Sequence, residues 1–133
     1  EWTKKYNFEK NYAYFGSRNH PKSLIKYKYY RRVIGHILRV LVFLFVDNKI
    51  RDTQCGFKFY NKKYIKKIFS LINEKGFVHD IELVLLLKNN KIRIKELPIR
   101  WVHMDNSKLN PFSESAIFFI NFFKLLKKYK LKR

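Results

Sequence analysis

A chain of 133 residues is one domain at most, and with 47% hydrophobic residues it has the apolar mass for a core, which excludes a disordered tail. Lys and Arg exceed Asp and Glu by 30 to 10, leaving +20; this points to an anionic partner (nucleic acid, a membrane surface or a phosphorylated substrate), unless the lysines reflect biased coding DNA. The single cysteine, Cys55, excludes an intrachain disulfide and a metal site built on cysteines.

Residues 1–11 are charged and aromatic, unlike a signal peptide, and without an initial Met the chain is expected to be a fragment. Residues 12–17 read as a short strand ending at a Gly-Ser turn, and residues 18–23, with Pro21, as a loop. A helical pattern covers 27–46; its apolar stretch, 37–46, carries Arg39 and is too short to cross a bilayer. After a turn at 47–49, residues 55–60 alternate as a strand, with Cys55, Phe57 and Phe59 on one face and Gly56, Lys58 and Tyr60 on the other.

Residues 62–72 predict a helix with Ile65, Ile68, Phe69 and Ile72 on one face, broken by Gly76 and followed by a second helix over 79–89. Residues 91–103 are extended. Their apolar parity flips between Ile92 and Ile94 and then Leu97, Ile99 and Trp101, which predicts a bulge or break near 96–98. Ser113 is expected to cap a last helix reaching about Tyr129. The order strand, helix, strand, helix, helix, strand, helix indicates an α/β domain.

Three segments carry candidate chemistry. In Asp52-Thr53-Gln54-Cys55-Gly56-Phe57-Lys58 an acid, a hydroxyl and an amide lead into a strand, and polar groups gathered at a strand terminus are the usual layout of an α/β active site. The alternative is a loop with Asp52 in a local turn. Asp80 and Glu82 sit at a helix start, about 200° apart on the helix, so they serve one site only if Asp80 stands outside it. The alternative is a cap and a favourable dipole contact. His79 beside them reads as structural. Arg100, His103 and Lys108 are placed to gather around phosphates, or are exposed loop charge. In the last helix, apolar residues from Ile117 to Leu126 cover most of the circumference before a basic tail, which suits either an anionic membrane surface or docking on the core.

Gly16-Ser17-Arg18, Asp52 to Lys58, Asp80-Ile81-Glu82-Leu83, Leu97-Pro98-Ile99-Arg100-Trp101 and Ser107-Lys108-Leu109 resemble, in order and spacing, the dolichyl-phosphate β-glucosyltransferases, inverting family-two enzymes. The run from Asp52 to Lys58 is the most specific of these. The resemblance implies the C-terminal part of a GT-A fold, a mixed sheet flanked by helices. Residues 1–112 would form the acceptor side of the catalytic domain and residues 113–133 an amphipathic basic helix contacting the membrane. It implies transfer of glucose from UDP-glucose to dolichyl phosphate on the cytosolic face of the endoplasmic reticulum, for N-glycan assembly.

It further implies Mg²⁺ or Mn²⁺, with ligands and the nucleotide-binding strands expected before Glu1, so that this stretch alone would be inactive. Asp52, Gln54 and Asp80 are the implied catalytic residues. Arg18, Lys58, Glu82, Arg100, Ser107 and Lys108 are the implied substrate-binding residues. A mannosyl or other polyprenyl-phosphate transferase is the nearest alternative. A nucleic-acid-binding module is the alternative of another class, disfavoured because the aromatics concentrate in the last helix rather than on a basic groove.

Overall fold

A computed structural model describes residues 8–26, 29–102 and 111–130. Its centre is β1 (Tyr12–Ser17), whose Ala13, Tyr14 and Phe15 are all buried. A strand covered on both faces reads as a continuous apolar run rather than an alternation. Along one side of β1 lies β4 (Arg93–Pro98), parallel, with Tyr12 opposite Arg93 and Ser17 opposite Pro98. Along the other lies β3 (Lys58–Phe59), antiparallel, with Tyr14 opposite Phe59. The sheet is therefore mixed, in the order β3-β1-β4.

β3 is much shorter than the strand expected over 55–60. Its parity is also the reverse of a simple inward Phe face. Lys58 turns inward, its side chain 7% exposed, while Phe57 and Phe59 meet edge to face on the outer side. Phe59 there stacks on Phe8. Past β3 the backbone contact carries on for one bond, the Gly16 amide donating to the Phe57 carbonyl at 2.7 Å. A Cβ at Gly16 would meet Ile99 at 2.9 Å and Cys55 Sγ at 3.1 Å, so glycine here serves packing.

The expected break in the extended segment is real and falls at Ile99. There the chain leaves the main sheet and begins β5 (Arg100–Val102), which pairs in parallel with β2 (Leu24–Lys26), a strand not anticipated. Ser23 Oγ accepts from the Ile99 amide at 3.0 Å, and the Ile99 carbonyl accepts from the Leu24 amide at 3.0 Å. These bonds satisfy the backbone at the crossover between sheets.

Among the described residues four helices flank the strands. They are α1 (Tyr29–Phe45), α2 (Lys62–Ser70), α3 (Phe77–Asn89) and α4 (Pro111–Lys130). Asn61 caps α2 through its side chain. α3 is buried on nearly all sides, through Val78, Ile81, Leu83, Val84, Leu86 and Leu87, as befits a helix apolar all round. Gly76, at φ +62°, opens it. α4 begins at Pro111, so Ser113 lies within its first turn rather than at the cap. Phe118, Phe122, Leu125 and Leu126 of α4 join the core. Its opposite face, with Ile117, Ile120 and Phe123, is exposed. Among the described residues no helix is long and apolar enough to cross a membrane.

Candidate active site

Because β1 and β4 run parallel, Arg18 and the segment from Ile99 to Trp101 leave the sheet at the same edge. β3 is antiparallel, so the loop entering it, Gln54 to Phe57, arrives at that edge as well. Ligands of open α/β sheets lie at such carboxyl ends. An open cleft of about 530 Å³ forms there, lined by Arg18, Gln54, Cys55, Gly56, Phe57, Pro98, Ile99, Arg100 and Trp101.

Arg18 dominates its polar wall. Its Nε and Nη2 donate to Asp52 Oδ2 and Oδ1 at 2.7 and 2.8 Å, a two-pronged pair, and its amide also donates to Oδ2 at 2.9 Å. The Asp52 side chain is 3% exposed and that of Arg18 26%, so the arginine is the partner that meets the cleft. The guanidinium lies 5.9 Å from the Trp101 ring centre, within cation–π range. Asp52 Oδ1 further accepts from the Gln54 amide at 3.2 Å.

The 51–54 loop is itself held from two sides. Glu96 Oε1, from β4, accepts from the Arg51 and Asp52 amides at 3.0 and 2.8 Å. Burial pushes the Glu96 carboxyl above its ordinary range, only partly offset by those amides. Gln54 Nε2 donates to the Phe77 carbonyl at 3.0 Å, tying the loop to the start of α3. Burial also raises Cys55, keeping its thiol protonated at neutral pH and so unsuited as a nucleophile.

The expected residues thus divide. Arg18, Gln54 and Arg100 line the cleft. Asp52 stands behind Arg18 rather than in the opening. Lys58 and Asp80 do not line it either: Lys58 Nζ donates to Asp80 Oδ1 and lies 5.1 Å from the Phe15 ring centre, beneath the sheet's edge. Glu82 faces elsewhere altogether. It is fully buried, with Oε2 accepting from the Asn73 and Glu74 amides and Oε1 accepting from Lys128 and Tyr129 of α4. The half-turn between Asp80 and Glu82 is what separates them. Ser107 and Lys108 lie outside the described residues, as does His103.

Two residues escaped the sequence reading. Glu96 was passed over because a lone charge in an extended segment reads as solvent-facing. Lys128 was counted as part of a free basic tail but anchors α4 to Glu82 at 2.9 Å. The only sequence signal was its position four residues after Lys124 on the polar stripe.

Asp52, Asp80, Glu82 and Glu96 are committed to arginine, lysine or backbone amides, and among the described residues no cluster of three or more His, Cys, Asp or Glu is placed to hold a metal ion. This part of the site does not fit a divalent ion. It offers instead cations, a buried amide-held loop and an aromatic wall, the equipment for holding a phosphate.

Fold and site together define a mixed α/β domain consistent with the C-terminal part of a GT-A glycosyltransferase. No protein-family model and no solved structure matches the chain. Among curated proteins it is 36% identical over 99 residues to the dolichyl-phosphate beta-glucosyltransferase of Drosophila melanogaster, covering 73% of this chain and 30% of that one. It is 38% identical over 97 residues to that of Saccharomyces cerevisiae (71% and 29%) and 33% identical over 99 residues to that of Homo sapiens (73% and 31%). The chain is similar to dolichyl-phosphate beta-glucosyltransferases, consistent with a fragment of such an enzyme, and it spans about 30% of the length of the curated relatives it matches.

Proposed function

We propose that this chain forms the acceptor side of an enzyme that transfers glucose from UDP-glucose to dolichyl phosphate, as the names of its relatives suggest for the acceptor and sugar. The observation that carries this reading is the Arg18–Asp52 pair, set beside Arg100 and Trp101 at the carboxyl ends of parallel strands. In the reaction a phosphate oxygen of the lipid forms a bond to the glucose anomeric carbon, and the bond from that carbon to UDP breaks, releasing UDP. A phosphate oxygen is already ionised near neutral pH, so the step requires no strong general base. That agrees with a cleft whose nearest carboxylate is turned into an arginine.

Arg18 and Arg100 hold the lipid phosphate, and Gln54 orients the acceptor or sugar. Lys58 and Asp80 support the floor from behind. A divalent ion for the UDP leaving group belongs to residues beyond those described, and the donor is read largely there too. With about 30% of its relatives' length, the chain alone is expected not to turn over.

The lipid acceptor requires docking at a bilayer, on the cytosolic side of the endoplasmic reticulum where UDP-glucose is supplied. Support comes from two exposed apolar helix faces that meet. Phe45 of α1 contacts Phe123 of α4 at 6.2 Å between ring centres, joining exposed Ile37, Phe43 and Leu44 to exposed Ile117 and Ile120, with Lys124 and Lys127 exposed on α4. Bulky apolar groups bordered by lysines suit an anionic membrane surface.

The test is a chimera in which residues of this chain replace the matched segment of the yeast relative. Radiolabelled glucose passing from UDP-glucose to dolichyl phosphate in its membranes supports the reading. A chimera that folds and reaches the membrane, yet transfers nothing while its parent does, contradicts it.

A further inference from the structure

Glu96 is a half-buried acid on β4 opposite Phe15, outside the cleft itself. Its carboxylate has a defined task. One oxygen, Oε1, receives two successive amides, Arg51 N at 3.0 Å and Asp52 N at 2.8 Å. Successive amides aimed at one oxygen fix the local backbone turn, and hence the direction in which Asp52 leaves it. Asp52 in turn fixes three donors of Arg18. The chain β4, Glu96, loop, Asp52, Arg18 therefore runs from the strand paired with the sheet's centre to the cation at the cleft.

Among the described residues the loop's other anchors bond the Asp52 side chain or lie beyond it. Asn19 Nδ2 donates to the Arg51 carbonyl at 3.0 Å from an exposed position, and Gln54 reaches Phe77 on the far side. Neither fixes the Asp52 amide. Even half-buried, a carboxylate is costly in a sheet unless its bonds compensate, and here the two amides supply that compensation.

We propose that Glu96 is a positioning residue for the phosphate-binding arginine: through the Arg51 and Asp52 amides it sets the rotamer of Arg18, without touching the substrate. The inference rests on Arg18 being the phosphate-holding cation, but its geometric part stands apart from that reading, and two readouts separate them.

The first is the Arg18 Nε–H resonance in ¹⁵N-labelled 133-residue chain, slow to exchange while it is bonded to Asp52. The second is affinity for farnesyl phosphate, a short polyprenyl monophosphate, with inorganic phosphate as the headgroup-only control. Glu96→Gln keeps an oxygen that accepts both amides and should preserve the protected resonance and bind within about twofold of wild type. Glu96→Ala removes the acceptor; the resonance should lose its protection and binding should weaken at least about fivefold.

If the alanine variant does not fold, Glu96→Asp, which keeps the charge but withdraws the oxygen by one methylene, carries the same expectation. An Arg18 resonance as protected in the alanine or aspartate variant as in wild type overturns the inference, as does loss of protection in the glutamine variant. If wild type binds no farnesyl phosphate but the resonance depends on Glu96 as stated, the functional reading falls and the positioning role stands.

Discussion

Asp52 is the residue whose role changes most between sequence and structure. Its position in Asp-Thr-Gln-Cys-Gly-Phe-Lys marks it as functional, but nothing in that run says that both its oxygens are taken by Arg18, 34 residues earlier. In the structure both oxygens hold the arginine, and the side chain is 3% exposed. Asp52→Asn in the yeast chimera would keep one acceptor oxygen and lose the charge that holds the guanidinium in two places. Transfer to dolichyl phosphate should fall at least about tenfold, roughly 1.4 kcal/mol of barrier, with folding retained. Full activity in that variant would remove Asp52 from the machinery. Residues 52–58 were legible because the types are unusual together. Glu96 was not, because its partners are backbone amides that no side-chain pattern reveals.

Among elements, α3 shows what local pattern supplies and what it omits. Its apolar residues announce a helix, but its ends are set by backbone geometry. At the C-terminus Ile92 N donates to Leu87 O at 2.9 Å and Lys91 N to Lys88 O at 2.9 Å, a Schellman ending that forces Lys91 to φ +59°. A lysine pays a steric cost there that glycine avoids. Lys91→Gly should therefore raise unfolding stability by about 0.5–1 kcal/mol, read from urea denaturation; a decrease would contradict this reading of the ending.

The contact between α3 and α4 centres on Glu82. Burial opposes its charge, but the Glu74 amide, Lys128, the Asn73 amide and Tyr129 outweigh burial and hold its pKa below the ordinary 4.5. A depressed carboxyl contributes stability above its unfolded pKa and loses it as pH falls through the folded one. Wild type should thus lose stability below about pH 4.5. Glu82→Gln should lose roughly 1.5–3 kcal/mol at neutral pH, because an amide cannot accept from four donors, and should flatten the acid limb. An unchanged acid limb, followed by circular dichroism, would show that Glu82 is not the group responsible. The β2-β5 pair illustrates the other limit: three-residue strands carry too little pattern to be read, and their pairing is decided by Ile99 and Ser23.

At the scale of the molecule, the order of elements gave the α/β class, and the parity flip located the crossover. Neither revealed that α1 and α4 expose apolar faces side by side, since in sequence they are separated by most of the domain. The whole assembly brings a cationic cleft, an aromatic wall and an apolar, lysine-bordered surface into one chain. Binding to anionic nanodiscs with and without dolichyl phosphate, at a series of salt concentrations, separates these features in one measurement. Wild type should bind more tightly when dolichyl phosphate is present. Replacing Arg18 and Arg100 together by Ala should abolish that increment while leaving binding to plain anionic nanodiscs in place. Replacing Lys124 and Lys127 by Gln should instead weaken both, most at low salt. No increment from dolichyl phosphate in wild type, or an increment untouched by loss of both arginines, would contradict the assignment of this cleft to the lipid phosphate.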